Sequence, residues 1–122
     1  MLIEAALVLM LVLLVTFGAM EYGWMFLKAQ EVTNAARHGA RVAVRADATN
    51  PEVESGVDAF MAAAGITGHS ITISPGTVIS PGEVVTVTVT APYADGAELL
   101  GISFLPVPAT LQSAVSMTKE GP

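Results

Sequence analysis

The stretch that decides the fold is residues 5–20, AALVLMLVLLVTFGAM, a run of 16 residues without a charge. Met1 to Ile3 extend it, so the run approaches the about 20 apolar residues that a helix needs to cross a bilayer. A half-exposed surface helix would carry polar residues along one face, and this run does not. We therefore expect a helix that crosses a membrane or lies among other apolar helices.

The flanks of this run favour a retained anchor over a cleaved signal peptide. A signal peptide has a basic region before its apolar core and a small-residue cleavage site after it, and the run shows neither. Glu21, Tyr22 and Trp24 follow instead, and the aromatic pair is typical of a bilayer interface. We expect residues 1–24 to form the membrane or filament core. Because positive charge usually stays cytoplasmic, we also expect that processing removed a basic leader.

The helix is expected to continue to about residue 46. No proline occurs between Glu21 and Ala46, and good helix formers dominate. Small or apolar side chains recur at helical spacing on one face: Met25, Val32, Ala36, Ala40 and Ala43. At about 1.5 Å per residue the helix would be roughly 65–70 Å long, about twice a bilayer thickness. Its second half must therefore lie outside the bilayer, against the rest of the chain.

Residues 47–122 predict a small head. Asn50-Pro51-Glu52 is typical of a helix start, with Asn50 as N-cap, and Gly65 of a helix end. We therefore expect a second helix over 51–64. Its inward side chains would be Val53, Val57, Phe60 and Met61.

Alternating residues predict three strands in the head, Ser70–Ser74, Val84–Thr90 and Thr110–Lys119. Residues 94–108 are expected to form a loop with one helical turn near residues 98–100. The predicted fold class is α+β. A long N-terminal helix with an apolar first half (1–46) carries a head (47–122) made of a short second helix and a small three-stranded antiparallel sheet, packed on the helix's second half.

Charge is distributed unevenly along the chain. Four of the five basic residues lie within 28–45: Lys28, Arg37, Arg41 and Arg45. From Asp47 onward the chain has eight acidic residues and a single basic one, Lys119. So acidic a surface repels nucleic-acid phosphates, and we expect no nucleic-acid partner. The arginines at i, i+4 and i+8 form a stripe with two interpretations. They pair locally with Glu31, Asp47 or the acidic head, or they form salt links with the head of the next copy.

No constellation of residues indicates catalysis. The chain has no G-x-S-x-G, H-E-x-x-H or phosphate-loop motif and no cysteine. His38 and His69 lack ligand-like spacing to a carboxylate. The acidic residues at 47, 52, 54 and 58 lack the alternation and the glycine of a calcium loop. We therefore expect no enzymatic activity, no cofactor and no metal.

Glu4 is the one charge ahead of the apolar run, and it has two interpretations. A carboxylate deep in a membrane costs about 2–3 kcal/mol, and less near the surface. Glu4 either lies at the interface, helped by its position at a helix N-terminus, or pairs with the N-terminal amine of Met1 of an adjacent copy. Such a pair would fix the stagger of packed helices, because any other stagger leaves both charges unpaired in apolar surroundings.

Three ordered motifs resemble the TadE/TadG-like pilin family of tight-adherence, type IV pilus-like filaments. They are Ile3-Glu4-Ala5-Ala6-Leu7-Val8-Leu9, Phe17-Gly18-Ala19-Met20-Glu21-Tyr22-Gly23, and Asn34-Ala35-Ala36-Arg37-His38-Gly39-Ala40-Arg41. The strand Val84–Tyr93 is similar to a later family motif, more loosely. Three departures stand out. Glu4 is fourth where the family has a glutamate at the fifth mature position, Ala5 replaces an aromatic residue, and Met10 stands where a proline is common.

The resemblance implies a structural pilin-like subunit that polymerises through its hydrophobic N-terminal helix into an extracellular type IV-like (Tad) filament for adhesion. It also implies a prepilin peptidase, secretion-type assembly machinery, membrane lipid and copies of the chain itself as partners. The chain would lie in the cytoplasmic membrane before assembly and on the cell surface after it. Two alternatives stay open: a monomeric membrane-anchored extracytoplasmic binding domain, or a minor (tip or priming) pseudopilin.

Three sets of residues are expected to serve assembly. Glu4 and Met1 would set the register. Leu7, Met10, Leu11, Leu14, Phe17 and Gly18 would pack the filament core. Arg37, Arg41 and Arg45 would form the salt links between subunits.

Overall fold

Five elements make up the part of the chain that the computed structural model describes, residues 1–45, 47–75, 81–93, 99 and 106–120. They are helix α1 (Leu2–Ala43), helix α2 (Asn50–Ala63) and strands β1 (Ser70–Ser74), β2 (Val84–Pro92) and β3 (Thr110–Thr118). The predicted α+β class is confirmed. The helical turn expected near residues 98–100, and most of the loop around it, lie outside the described residues.

Helix α1 runs unbroken for 42 residues, which is about 63 Å at about 1.5 Å per residue. It ends at Ala43, slightly before the predicted residue 46. Lys119, which directly follows β3, donates from Nζ to the carbonyls of Ala43 at 3.2 Å and Arg45 at 2.7 Å. A cation is favourable at a helix C-terminus because the last carbonyl groups lack partners within the helix. The end of the sheet therefore caps the end of the helix.

Helix α2 has identifiable caps at both ends. Its N-cap is Thr49, because the Glu52 carboxylate accepts a hydrogen bond from the Thr49 backbone N–H at 3.0 Å, as in a capping box. The predicted N-cap, Asn50, was therefore wrong by one residue. Gly65, with a φ of 73°, follows the last turn, and the N–H of Ile66 donates to the carbonyl of Met61 at 2.9 Å. This Schellman-type end confirms the stop predicted at Gly65.

The sheet is antiparallel with the order β1-β2-β3, so β2 is central. Its alternating residues Val85, Val87, Val89 and Ala91 are buried, and the threonines between them lie on the opposite face. Helix α1 contacts β2, β3 and α2, whereas β1 contacts α2 and not α1. Viewed across the sheet, α1 covers the β2–β3 side and α2 covers the β1 side.

The core of the head is built from small residues of α1 and the valines of α2 and β2. On α1, Val32, Ala36, Ala40 and Ala43 are buried, as the predicted apolar face requires. On α2, Val53, Val57 and Met61 are buried. Phe60 was expected to face inward as well, but it is 42% exposed and stacks at the surface with its ring 4.7 Å from the His38 ring. Val53, Val57 and Met61 stand at i, i+4 and i+8 and line one stripe of α2, and Phe60 lies about 100° around the helix from Met61, at the edge of that stripe.

Candidate assembly interface

The first seventeen residues of the chain make no part of the head core, and all of them are exposed. Helix α1 is long and apolar enough to cross a membrane, and only 6% of its most apolar window of 18 residues is buried. The apolar core helix of a soluble protein would be mostly covered by its own chain. This segment, residues 1–17, is called the free segment below.

Five of the six residues predicted to pack a filament core lie in the free segment with exposed side chains. They are Leu7, Met10, Leu11, Leu14 and Phe17. The sixth, Gly18, is buried and marks the point where the rest of the chain begins to cover the helix. Exposed leucines in water each forgo about 1.5–3 kcal/mol of burial energy. The free segment therefore needs lipid or other apolar helices around it.

Glu4 and Met1 lie at the far end of the free segment. Met1 is the N-cap of α1, and its carbonyl accepts the first helical hydrogen bond from Ala5 at 3.0 Å. Glu4 is the acidic residue of the first turn, where the helix dipole favours a negative charge. Glu4 forms no ion pair with any residue that the structure describes. Its exposed carboxylate is therefore open to solvent or to a neighbouring molecule.

Glu21 is a buried residue whose partners the sequence did not reveal. It is only 1% exposed, and its Oε1 accepts hydrogen bonds from the Tyr93 hydroxyl at 3.1 Å and the Leu99 backbone N–H at 3.2 Å. These donors lie more than 70 residues along the chain. The FGxxE motif, residues 17–21, was the signal available, but it names no partner. Glu21 fixes the head to the helix immediately beyond the free segment.

Two further residues of α1, Tyr22 and Lys28, contact the head near Glu21. The Tyr22 hydroxyl donates to the Pro106 carbonyl at 3.1 Å. Lys28 is buried, with Nζ 2.7 Å from the Ala64 carbonyl at the end of α2, 3.2 Å from Glu31 and 4.6 Å from the centre of the Trp24 ring. Phe26 and Leu27 remain exposed on the flank between these contacts. The apolar surface of α1 thus continues past Gly18 on the side that the head leaves open.

The arginine stripe divides into two parts. Arg45 pairs locally, with Asp47 at 3.6 Å and Glu52 at 3.9 Å. Arg37 and Arg41 are exposed, and neither has an ion pair among the described residues. Glu31, the other local acid considered for the stripe, pairs with Lys28 instead. Two free guanidinium groups therefore lie on the surface of α1.

The histidines do not come together. His38 stacks on Phe60, and His69 bonds through Nε2 to Asp58 at 2.6 Å. Within the described residues no three His, Cys, Asp or Glu side chains are grouped so as to hold a metal ion. The described residues offer surfaces for packing: an apolar helix, one carboxylate near its N-terminal end and separated patches of charge.

Comparisons with known proteins single out the same helix. A search of curated proteins found no match to the chain, and a search of solved structures found none either. The looser similarity at Val84–Tyr93 stays a prediction, since the family match does not reach it. The family expected from the three ordered motifs is confirmed for the N-terminal helix, because residues 1–41 of this chain match the family model described as TadE-like protein.

Proposed function

We propose that this chain is a structural subunit that polymerises through the free segment into an extracellular filament of the Tad type, used for surface attachment. The observation that carries the proposal is the exposed apolar helix surface of residues 1–17, which the head leaves wholly uncovered. The TadE-like match over residues 1–41, in a family of structural pilin-like proteins, supports the same assignment. We accordingly propose no enzymatic role.

The physical basis of assembly is an exchange of one apolar environment for another. In the membrane the free segment is covered by lipid tails, and in a filament it is covered by the same segment of other copies. Because lipid is as apolar as leucine, the exchange gains little from hydrophobicity and depends on close packing of helices. Leu7, Leu11 and Leu14 supply that packing surface, spaced at helical intervals. A nearly neutral exchange can be driven in one direction by secretion-type assembly machinery.

Glu4 supplies the register in this proposal. Its carboxylate would pair with the amine of Met1 of the adjacent copy, after a prepilin peptidase has exposed that amine. In apolar surroundings an unpaired charge is costly, so one stagger of neighbouring helices is favoured over all others. The free position of Glu4 at the tip of α1 is what supports this role.

The test is to shear surface material from cells that produce the chain and to examine it by negative-stain electron microscopy with gold-labelled antibody against the head. We expect helical filaments that carry label along their length. Label at filament ends only would identify a minor, tip-located subunit. Recovery of the chain solely as a detergent-soluble monomer, with no labelled filaments, would refute the proposal and favour a membrane-anchored binding domain. Cells that lack the chain serve as the control for both filaments and attachment.

A further inference from the structure

Two basic residues without an ion pair among the described residues lie on one flank of α1, along the part that packs against the head. Arg37 and Arg41 each stand two residues from Gly39, so at about 100° per residue both point about 160° away from it. Gly39 is the point where α1 meets the other layers, since a Cβ there would lie 2.6 Å from Val57 of α2 and 3.1 Å from Val87 of β2. Both guanidinium groups therefore extend from the side of α1 that faces away from α2.

An acidic pair occupies the corresponding position on α2. Glu54 and Asp58 each stand two residues from Gly56, where a Cβ would lie 3.1 Å from the His38 ring of α1. By the same helical geometry both carboxylates point away from α1. Both residues are exposed, and Glu54 has no ion pair among the described residues. Asp58 holds His69 through Oδ1 at 2.6 Å.

The two pairs are complementary in sign and in spacing. Each is an i, i+4 pair, with about 5–6 Å between Cβ atoms on a helix surface. They lie on opposite flanks of the head, one on the α1 side and one on the α2 side. They cannot meet within one chain, but they can meet between two chains that stand side by side.

Contact between unlike patches has a consequence for assembly. A heterologous contact leaves one basic and one acidic flank free at every addition, so it does not close as a dimer. It repeats into a ring where the rotation between copies closes, and into an open helical array where it does not. The head also carries excess acid, with eight acidic residues against one lysine from Asp47 onward. Heads placed side by side therefore repel each other unless a basic patch lies between them. The only unpaired basic groups among the described residues of this flank are Arg37 and Arg41.

We infer that Arg37 and Arg41 of one copy pair with Glu54 and Asp58 of the next copy, so that a basic flank and an acidic flank join the heads around the filament. This inference rests on the proposed function, since it concerns contacts within the proposed filament. Arg45 is left out because its guanidinium group already has two acidic neighbours in its own copy, Asp47 at 3.6 Å and Glu52 at 3.9 Å, whereas the neighbour of Asp58 is a single imidazole, contacted through Oδ1.

The inference is tested by exchanging the charges. Full-length chains carrying Arg37→Glu with Arg41→Glu, or Glu54→Arg with Asp58→Arg, are each expected to lower the yield of sheared filaments by about tenfold, since repulsion replaces two attractive pairs. A cell that produces both variant chains is expected to recover filaments in which they alternate. One variant then has two acidic flanks and the other has two basic flanks. A chain with all four changes is expected to assemble alone.

A narrower exchange controls for the role of Asp58 in holding His69. Arg41→Glu and Glu54→Arg leave the Asp58–His69 bond intact. Each single change is expected to lower the filament yield, and the chain that carries both changes is expected to recover it. Thermal unfolding of each variant in detergent shows whether the head still folds. The inference is overturned if Glu54→Arg with Asp58→Arg folds and gives a normal filament yield. It is also overturned if cells that produce both variant chains do not recover filaments.

The result also separates this inference from the proposed function. If the wild-type chain forms filaments and Arg37→Glu with Arg41→Glu does not weaken them, only the flank pairing fails. If the wild-type chain forms no filaments, the proposed function fails. Loss of binding to phosphatidylglycerol vesicles by the arginine variant, without recovery in the mixture, would assign the arginines to lipid head groups and would overturn the pairing.

Discussion

Glu21 shows how a carboxylate can be buried next to an exposed apolar segment when hydrogen bonds from other parts of the chain reach it. Removing a carboxylate from water is costly unless hydrogen bonds replace those lost. The Tyr93 hydroxyl and the Leu99 backbone N–H both donate to Oε1. The side chain therefore ties a strand end and the segment beyond it to the helix, just where the free segment begins. Its role is to hold the head at a fixed height on α1.

Replacing Glu21 by alanine is expected to destabilise the head by about 1–3 kcal/mol, since the buried Tyr93 hydroxyl and the partly buried Leu99 N–H lose their acceptor. For a small domain this corresponds to a fall in Tm of roughly 4–8 °C for each kcal/mol. Tyr93→Phe removes the hydroxyl donor itself, so no buried hydroxyl is left without an acceptor. It is expected to give a smaller fall in Tm. Fluorescence of Trp24, the chain's single tryptophan, can follow unfolding in detergent. An unchanged Tm in the alanine variant would contradict this role for Glu21.

The residues that the sequence misjudged share one cause. Lys28 and Lys119 entered the sequence analysis only as counted charges, yet each is buried and caps the C-terminal end of a helix. Glu21, Lys28 and Lys119 find their partners 36 to 78 residues away along the chain. Periodicity and local motifs report on neighbours within a few turns and carry no information about such distances. Arg37, Arg41 and Glu4 are exposed, and the roles expected for them stay predictions.

At the scale of elements, local signals were sufficient. The long helix followed from the absence of proline, α2 from its proline and glycine borders, and β2 from the alternation of valine and threonine. The strand bounds differ from the prediction by at most two residues, with β2 continuing to Pro92. The strand order β1-β2-β3 was not predicted, because antiparallel pairing alone does not say which strand is central. Gly39 is a site of close approach between layers, since a Cβ there would lie 2.6 Å from Val57.

Two glycines of α1 provide a matched test of this close approach. Gly39→Ala would place a Cβ 2.6 Å from Val57 Cγ2, and overpacking of this kind costs about 1–3 kcal/mol. Gly23→Ala meets no described atom within 4 Å and should stabilise the helix by up to about 1 kcal/mol. Thermal unfolding of the detergent-solubilised monomer is expected to show a lower Tm for the first variant and an equal or higher Tm for the second. An equal shift of Tm in both variants would mean that helix propensity alone, and not close packing at Gly39, determines the effect of the substitution.

At the scale of the whole molecule, the length of the free segment sets where the head sits. Residues 2–17 extend about 24 Å at about 1.5 Å per residue, which is less than the about 30 Å of hydrocarbon in a bilayer. The exposed Met20, Phe26 and Leu27 continue the apolar surface on the open flank of α1. A membrane-embedded copy therefore brings the head, held by Glu21, directly against the lipid surface. In the proposed filament the same flank would lie against the free segments of neighbouring copies.

Glu4 is the place where the stagger of whole molecules can be tested. Glu4→Gln keeps the size of the side chain and removes its charge. The register pair with the Met1 amine would then be lost, while the apolar run that inserts in the membrane is unchanged. We expect normal recovery in the membrane fraction and a filament yield lowered by about tenfold, as suits the loss of one charge pair in apolar surroundings.

Glu4→Asp, which keeps the charge on a side chain shorter by one methylene group, is the matched control and is expected to retain most filaments. The two variants separate register from anchoring. A carboxylate that only rests at the bilayer interface has no partner to lose, and its neutral replacement would insert at least as well and assemble as before. Normal filament yield from Glu4→Gln would therefore assign Glu4 to the interface. A loss in Glu4→Gln that Glu4→Asp does not share would show that the charge itself sets the stagger between neighbouring copies.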